Sequence, residues 1–134
     1  MKRINIKCPY CGSRAYLRPS SMVYGDHTDD AGAKLYVCAR YPACDAYVAA
    51  HKDTLLPMGT LADRNLRRKR MEAHSALNQL IGSGIMTRKQ AYRWLQLQLG
   101  LPESEAHIAN FSELRCQKVI ELCRALSRAQ ARAA

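Results

Sequence analysis

The period of apolar and polar positions changes near residue 60. Before that point, short runs of alternating character are bounded by glycine, proline and aspartate, and they predict four strands over residues 4–7, 13–17, 34–37 and 46–49. Glycines and aspartates concentrate in residues 25–32, where the composition predicts a turn that reverses the chain. The first third of the chain is therefore predicted to form a small antiparallel sheet.

After residue 60, apolar side chains recur at helical spacing and predict three amphipathic helices. Thr87 followed by Gln90 forms a capping-box pattern that opens the second helix, and Ser112 can cap the third. The predicted apolar stripes contain Leu66, Ala73, Leu77, Leu80 and Ile81, then Ala91, Trp94, Leu95 and Leu99, then Cys116, Val119, Ile120, Cys123 and Leu126. Helices of this kind bury their stripes against one another, so a three- or four-helix cluster is expected.

Four cysteines in the strand-rich part have the spacing of metal ligands. Cys8 and Cys11 lie in CPYC, and Cys38 and Cys44 lie in CARYPAC. Each pair can close a tight turn that points two thiolates at one ion, and antiparallel strands can bring the two turns together. This spacing predicts one structural Zn²⁺ ion in a zinc ribbon, because four thiolates leave no open position for catalysis.

Cysteines at such spacings also have two other interpretations. A lone CxxC can be a redox pair, but that motif needs a strand-to-helix context, whereas a strand-like run follows Cys11. Cys116 and Cys123 are seven residues apart on a predicted helix, roughly 10 Å, which is too far for a disulfide or a shared zinc. They are predicted to be thiols in the apolar core.

The cysteine segment resembles a known class of module. The segment begins with CPYCG and ends with two cysteines that enclose five residues, among them Tyr41 and Pro42. This pattern is similar to the zinc ribbons at the C-terminus of type IA DNA topoisomerases, and the resemblance implies binding to single-stranded DNA. The HK-x(5)-MGTLA and HIANF-x(4)-CQKVIELC segments make nearly the whole chain similar to small bacterial and phage proteins known only as zinc-finger-containing. That second resemblance implies no mechanism.

The charge of the chain favours a polyanionic partner. The sequence has 21 Lys and Arg against 11 Asp and Glu, a net charge of +10, and the helical part holds most of the surplus. Such a surplus promotes binding to nucleic acid through counterion release, although charge can also serve solubility alone. No segment is apolar enough to indicate a signal peptide or a membrane span, so a cytoplasmic protein is expected.

Tyrosines in the ribbon alternate with cations. Six of the seven tyrosines lie in the first 48 residues. Aromatic rings that stack bases, beside cations that meet phosphates, are what a sequence-tolerant single-strand binder needs. Tyr16, Arg18, Arg40 and Tyr41 are the predicted contacts, with Tyr16 and Tyr41 expected to be exposed. The alternative is that tyrosine rings cover a module with little core.

The first predicted helix carries the densest positive run of the chain. Arg64, Arg67, Arg68 and Lys69 are predicted to contact a phosphate backbone without reading sequence, although a solvated helix face is the default for such a run. Arg70 continues the run.

The sequence thus predicts an α+β protein: a zinc ribbon in residues 1–51, a linker in 52–60 and a helical domain in 61–134. Its expected function is non-catalytic binding of single-stranded or distorted DNA, because no catalytic grouping and no phosphate-cradling glycine loop is present. No membrane and no small-molecule substrate is expected. The alternative is a protein-interaction module, such as a phage or mobile-element factor that docks on a host polymerase, nuclease or replication protein.

Overall fold

A computed structural model describes residues 4–25 and 32–133, so most of the turn predicted for residues 25–32 lies outside the described residues. The chain divides into two compact units, Met1–Arg64 and Asn65–Ala134. Each unit is described by itself.

The first unit contains a four-stranded antiparallel sheet in the order β1-β2-β3-β4. The strands are β1 (Ile6–Lys7), β2 (Arg14–Pro19), β3 (Lys34–Cys38) and β4 (Tyr47–Ala49), and one helical turn, α1 (Ser21–Tyr24), follows β2. Ala15 lies opposite Ile6 on β1 and opposite Cys38 on β3. This register brings the ends of β1 and β3 that carry cysteines to the same end of the sheet.

One face of this sheet forms a small apolar core. Successive side chains of a strand point to opposite faces, so Leu17, Tyr36 and Val48, which are paired across three strands, share a face. They pack with the metal-site cysteines and with small residues, and the buried members of the cluster are Cys8, Ala15, Tyr36, Cys38, Ala46, Val48, Ala50 and Leu61. Three of these eight are alanines, so the apolar area available to stabilise the unit is limited.

The chain after β4 returns to the sheet. Met58, which lies in the 52–60 segment that the sequence predicts as a linker, donates from its backbone N to Ala49 O at 2.8 Å. The backbones of Tyr47 and Ala62 exchange hydrogen bonds of 3.1 and 3.0 Å. The hydroxyl of Tyr36 donates to the carbonyl oxygen of Leu55. These bonds fix the segment that leads to the second unit.

The second unit is helical. Its long helices are α2 (Arg64–Gly82), α3 (Arg88–Leu99) and α4 (Glu113–Ala133), and two short 3-10 turns, Glu103–Glu105 and Ile108–Asn110, lie between α3 and α4. None of the helices in the described ranges is long and apolar enough to cross a membrane.

A single apolar cluster holds these helices together. Leu77, Leu95, Phe111 and Val119 are fully buried in it, with Trp94 partly buried against them. Arg70 is only 8% exposed, and its Nε donates to the carbonyl oxygen of Phe111 at 3.0 Å. The guanidinium therefore connects α2 to the turn before α4 and satisfies a backbone acceptor at the edge of the core.

The α+β class predicted from the sequence is confirmed, with four antiparallel strands followed by the helices. The sequence pattern missed α1, because four residues are too few to establish a helical period. The first long helix begins at Arg64, and its apolar stripe is interrupted by the buried Arg70.

The cap of α3 provides a test of the helical unit. The Thr87 hydroxyl accepts from Gln90 N at 3.2 Å, and the Gln90 side chain accepts from Thr87 N at 3.0 Å. Thr87→Ala should lower the free energy of unfolding by about 1 kcal/mol, because the first turn of α3 loses its side-chain acceptor. Urea unfolding followed by the fluorescence of Trp94, the single tryptophan, measures this change. Thr87→Ser keeps the hydroxyl and should unfold like the wild type; an equal loss in both variants would show that the cap is not the cause.

Candidate metal centre

The first cysteine pair lies in a tight turn between β1 and β2. Cys8 N donates to Ser13 O at 2.7 Å, and Gly12 N donates back to Cys8 O at 2.9 Å. Gly12 has a φ of 76°, a left-handed conformation that glycine adopts without steric cost. The turn folds the CPYC backbone so that both sulfurs lie within 4.8 Å of those of the second pair.

The second pair lies in the turn between β3 and β4. Tyr41 N donates to Cys38 O at 2.9 Å and Cys44 N donates to Arg40 O at 3.1 Å, while Cys38 N donates to Ala46 O at 3.0 Å. The peptide bond between Tyr41 and Pro42 is cis. These bonds return the chain on itself and bring Cys44 back beside Cys38.

The four sulfur atoms have the spacing that one zinc ion requires. Cys8 Sγ lies 3.6 Å from Cys44 Sγ, Cys11 Sγ lies 3.4 Å from Cys38 Sγ, and all four lie within 4.8 Å of one another. Zn–S bonds of about 2.3 Å in a tetrahedron place sulfurs roughly 3.8 Å apart, which agrees with these distances. The four cysteines form one zinc site, as the sequence predicts, and its ligands are complete without water or substrate.

The environment of the four thiols differs across the site. Cys8 and Cys38 are buried at 2% exposure, whereas Cys11 is exposed. Burial raises the pKa of the Cys38 thiol to about 12 and also raises the pKa of Cys44. Hydrogen bonds from the side chain and backbone of Ser13 lower the pKa of Cys11 to about 6. Cys11 is therefore more readily available as a thiolate than Cys38 or Cys44, and a divalent cation would favour ionisation of those two thiols.

The first turn also holds the segment beyond the ribbon. The Tyr10 hydroxyl accepts a hydrogen bond from Asp63 N at 3.1 Å, across 53 residues of sequence. The metal-bearing turn is thereby connected to the residues that precede α2.

Two of the predicted nucleic-acid contacts lie together on the sheet. Tyr16 is 42% exposed, and the guanidinium carbon of Arg18 lies 5.4 Å from the centre of its ring. Arg14, which was not among the predicted contacts, lies 5.8 Å from the same ring centre. The alternation of β2 could have identified it, because residues 14, 16 and 18 of one strand share a face.

The other predicted contacts in the ribbon lie in the second cysteine turn. Arg40 is exposed, while Tyr41 is only half-exposed between Arg40 and Pro42. Tyr24 and Tyr47, also outside the predicted set, contact each other edge to face, with ring centres 5.9 Å apart.

The remaining predicted contacts are on α2. Arg64 and Arg68 are exposed, Arg67 is half-buried, and Lys69 Nζ lies 3.7 Å from Glu72 Oε2. The ion pair neutralises part of the charge of Lys69.

Cys116 and Cys123 are at most 2% exposed in the apolar cluster of the helices, so their prediction as core thiols is confirmed. Burial raises the pKa of the Cys123 thiol to about 11 and also raises that of Cys116, which keeps both protonated at neutral pH.

Comparison with known families agrees with this site. The model of the DUF3268 family, a zinc-finger-containing domain, matches residues 4–126. The chain belongs to this family, which defines it as a zinc-binding module. No curated protein and no solved structure gave a significant match.

Zinc removal should unfold the first unit and leave the second folded. A strong chelator should remove most of the near-ultraviolet dichroism of the tyrosines, because six of the seven lie in the first 48 residues, while the fluorescence of Trp94 stays unchanged. Cys38→Ser should lose the bound ion, whereas Cys116→Ser should retain one zinc per chain by elemental analysis. Tyrosine dichroism that stays at its zinc-loaded level in metal-free protein would contradict the dependence of the ribbon on zinc.

Proposed function

We propose that this zinc-binding module is a non-catalytic nucleic-acid-binding protein with a preference for single-stranded or distorted DNA. The observation that carries the proposal is the cluster of Arg14, Tyr16 and Arg18 on one exposed face of β2. An aromatic ring between two cations offers a surface to a base and charges to the phosphates on either side.

The register of the sheet extends this surface beyond one strand. Tyr16 is paired with Val37, which is paired with Tyr47, so both tyrosines point to the same face. Two strand spacings separate them by roughly 10 Å. Tyr24 contacts Tyr47 and is 43% exposed, and so adds a third ring beside this face. Tyr16 and Tyr24 therefore offer two exposed rings on this side of the ribbon, and the buried Val37 lies between Tyr16 and Tyr47.

The magnitudes favour binding that tolerates different sequences. Stacking of a base on an aromatic side chain contributes about 1–3 kcal/mol, and an exposed cation–π contact contributes about 0.5–1 kcal/mol. A base that displaces one guanidinium from Tyr16 therefore still gains net free energy, and the displaced cation becomes available to a phosphate. None of these contacts reads the edge of a base, so discrimination between sequences is expected to be weak.

Nucleic-acid binding and docking on another protein would use different exposed side chains of the molecule. Docking on another protein is supported by large apolar side chains that the helical unit leaves in solvent, Leu97 at 76% and Leu114 at 83% exposure. The net charge of +10 and the aromatic–cation cluster support nucleic acid instead, and we give them more weight because single exposed leucines are common on protein surfaces.

Removal of the sheet cations should weaken DNA binding in a salt-dependent way. For Arg14→Ala/Arg18→Ala, the slope of log affinity against log salt should fall by about 1.4, since each phosphate contact to a single strand contributes about 0.7. Fluorescence anisotropy with labelled single-stranded and duplex oligonucleotides across a salt series measures it. Tyr16→Ala should weaken single-strand binding by roughly 5- to 150-fold, and Tyr16→Phe, which keeps the ring, should not.

The matched control for this experiment is Arg128→Ala/Arg132→Ala, which removes the same charge from the exposed end of α4. An equal loss in the two double variants would show that net charge alone attracts DNA. Absence of any binding at low salt would favour the protein-docking function.

The arginines of α2 are tested separately. Arg67→Ala/Arg68→Ala should reduce affinity by a similar factor for all sequences and lower the salt slope by about 1.4, because backbone contacts position a strand without specifying it. The thermal unfolding of the variant, followed by Trp94, checks that the helical unit is intact. A wild-type salt slope in this variant would remove α2 from the interface and leave the proposal for the sheet standing.

A further inference from the structure

A groove in the helical unit lies between α3 and the turns that follow it. Its volume is about 620 Å³, within the roughly 300–1,000 Å³ typical of small-molecule sites. Lys89, Tyr92, Arg93 and Gln96 line it from α3, and His107 lines it from the opposite side. All these residues belong to the second unit, so nothing in this site depends on the zinc ribbon.

The charged and uncharged residues that line the groove follow one another along α3. Lys89 and Arg93 are four residues apart and thus project from the same side of the helix, one turn from each other. The lining residues of α3 extend as far as Leu97, which gives the groove a length of about 12 Å at 1.5 Å per residue. Lys89, Tyr92 and Arg93 therefore lie toward one end of the groove, and Gln96 and Leu97 lie toward the other.

The cations at this end are not neutralised. Glu103 lines the same groove, yet neither Lys89 nor Arg93 forms an ion pair with it or with any other residue in the described ranges 4–25 and 32–133. An ammonium and a guanidinium one turn apart are suited to a phosphate group, since guanidinium can donate two parallel hydrogen bonds to its oxygens.

Other lining residues of the groove suit a planar ring and its polar groups. Tyr92 is partly buried, and Ala106, at 3% exposure, forms part of the lining without bulk. The Gln96 amide both donates and accepts, and the Glu103 carboxylate accepts from hydroxyl or amino groups. A phosphate, a hydroxyl-bearing sugar and an aromatic base occur together in a nucleotide.

We propose that this groove binds a nucleotide unit, with its phosphate at Lys89 and Arg93 and its base against Tyr92. A free mononucleotide and one unit of a nucleic-acid strand present the same chemistry. An acidic peptide is less suitable, because about 12 Å accommodates only three or four extended residues, too few for a stable peptide interface.

The test is a set of titrations of the zinc-loaded full-length protein. The probes are adenosine and guanosine monophosphate, a short oligothymidine, inorganic phosphate, and a peptide of alternating glutamate and leucine. Amide chemical shifts of residues 89–107 locate the site, and calorimetry gives the affinity. Lys89→Ala/Arg93→Ala should weaken nucleotide binding by about tenfold or more. Arg124→Ala/Arg128→Ala, which removes the same charge from α4, should leave it unchanged.

The different probes distinguish a free nucleotide from a nucleotide unit within a strand as the ligand of the groove. Binding of a mononucleotide that is lost in Lys89→Ala/Arg93→Ala supports a site for free nucleotides; binding of oligothymidine alone with the same loss supports a unit within a strand. Tyr92→Ala should weaken either ligand and Tyr92→Phe should not. The inference is overturned if phosphate binds as tightly as nucleotides, if only the acidic peptide binds, or if the double variant has no effect.

These results are distinguishable from the behaviour of the sheet. The groove is overturned, and the proposed function left intact, if oligonucleotide binding depends on Arg14 and Arg18 but not on Lys89 and Arg93 and no mononucleotide binding is lost in Lys89→Ala/Arg93→Ala. The reverse dependence overturns the sheet surface and supports the groove.

Discussion

Coordination of one ion by four sulfurs is the interaction on which the first unit depends. Its sheet has short strands and an apolar cluster in which Cys8 and Cys38 are themselves buried members beside three alanines. Structural zinc contributes roughly 10–16 kcal/mol in isolated fingers, more than so small a core can supply. The ion therefore determines whether Arg14, Tyr16 and Arg18 exist as one surface at all.

The helical unit is stabilised differently. Phe111, Leu95 and Val119 are fully excluded from water, and burial of each such side chain contributes about 1.5–3 kcal/mol. Arg70 adds a charged donor to a backbone oxygen at the edge of that core. Because hydrophobic burial requires no ion, removal of metal and disruption of a helix cap act on separate parts of the chain.

The strongest features of the fold could be predicted from the sequence. Cysteine spacing identified the zinc ligands, and the capping box of Thr87 and Gln90 is present as expected. The burial of Arg70 was not predicted, because a buried arginine and a solvated arginine look alike in a run of charged residues. Its position four residues after Leu66, on the apolar stripe of the helix, is the signal that could have indicated burial. The groove beside α3 could not be predicted, since it depends on where the segment between the two 3-10 turns, which contains His107, packs.

The charge of the metal site affects the predicted phosphate contacts of the ribbon to different degrees. Four thiolates around Zn²⁺ carry a net charge of −2, which attracts nearby cations and repels phosphate. Arg40 lies between two ligands in the second cysteine turn, whereas Arg18 is three residues along β2 from Ala15, the partner of Cys38. Three residues of strand correspond to roughly 10 Å, about one Debye length at moderate salt. The negative charge of the metal site therefore acts less strongly at the position of Arg18 than at that of Arg40, which favours Arg18 as a phosphate contact.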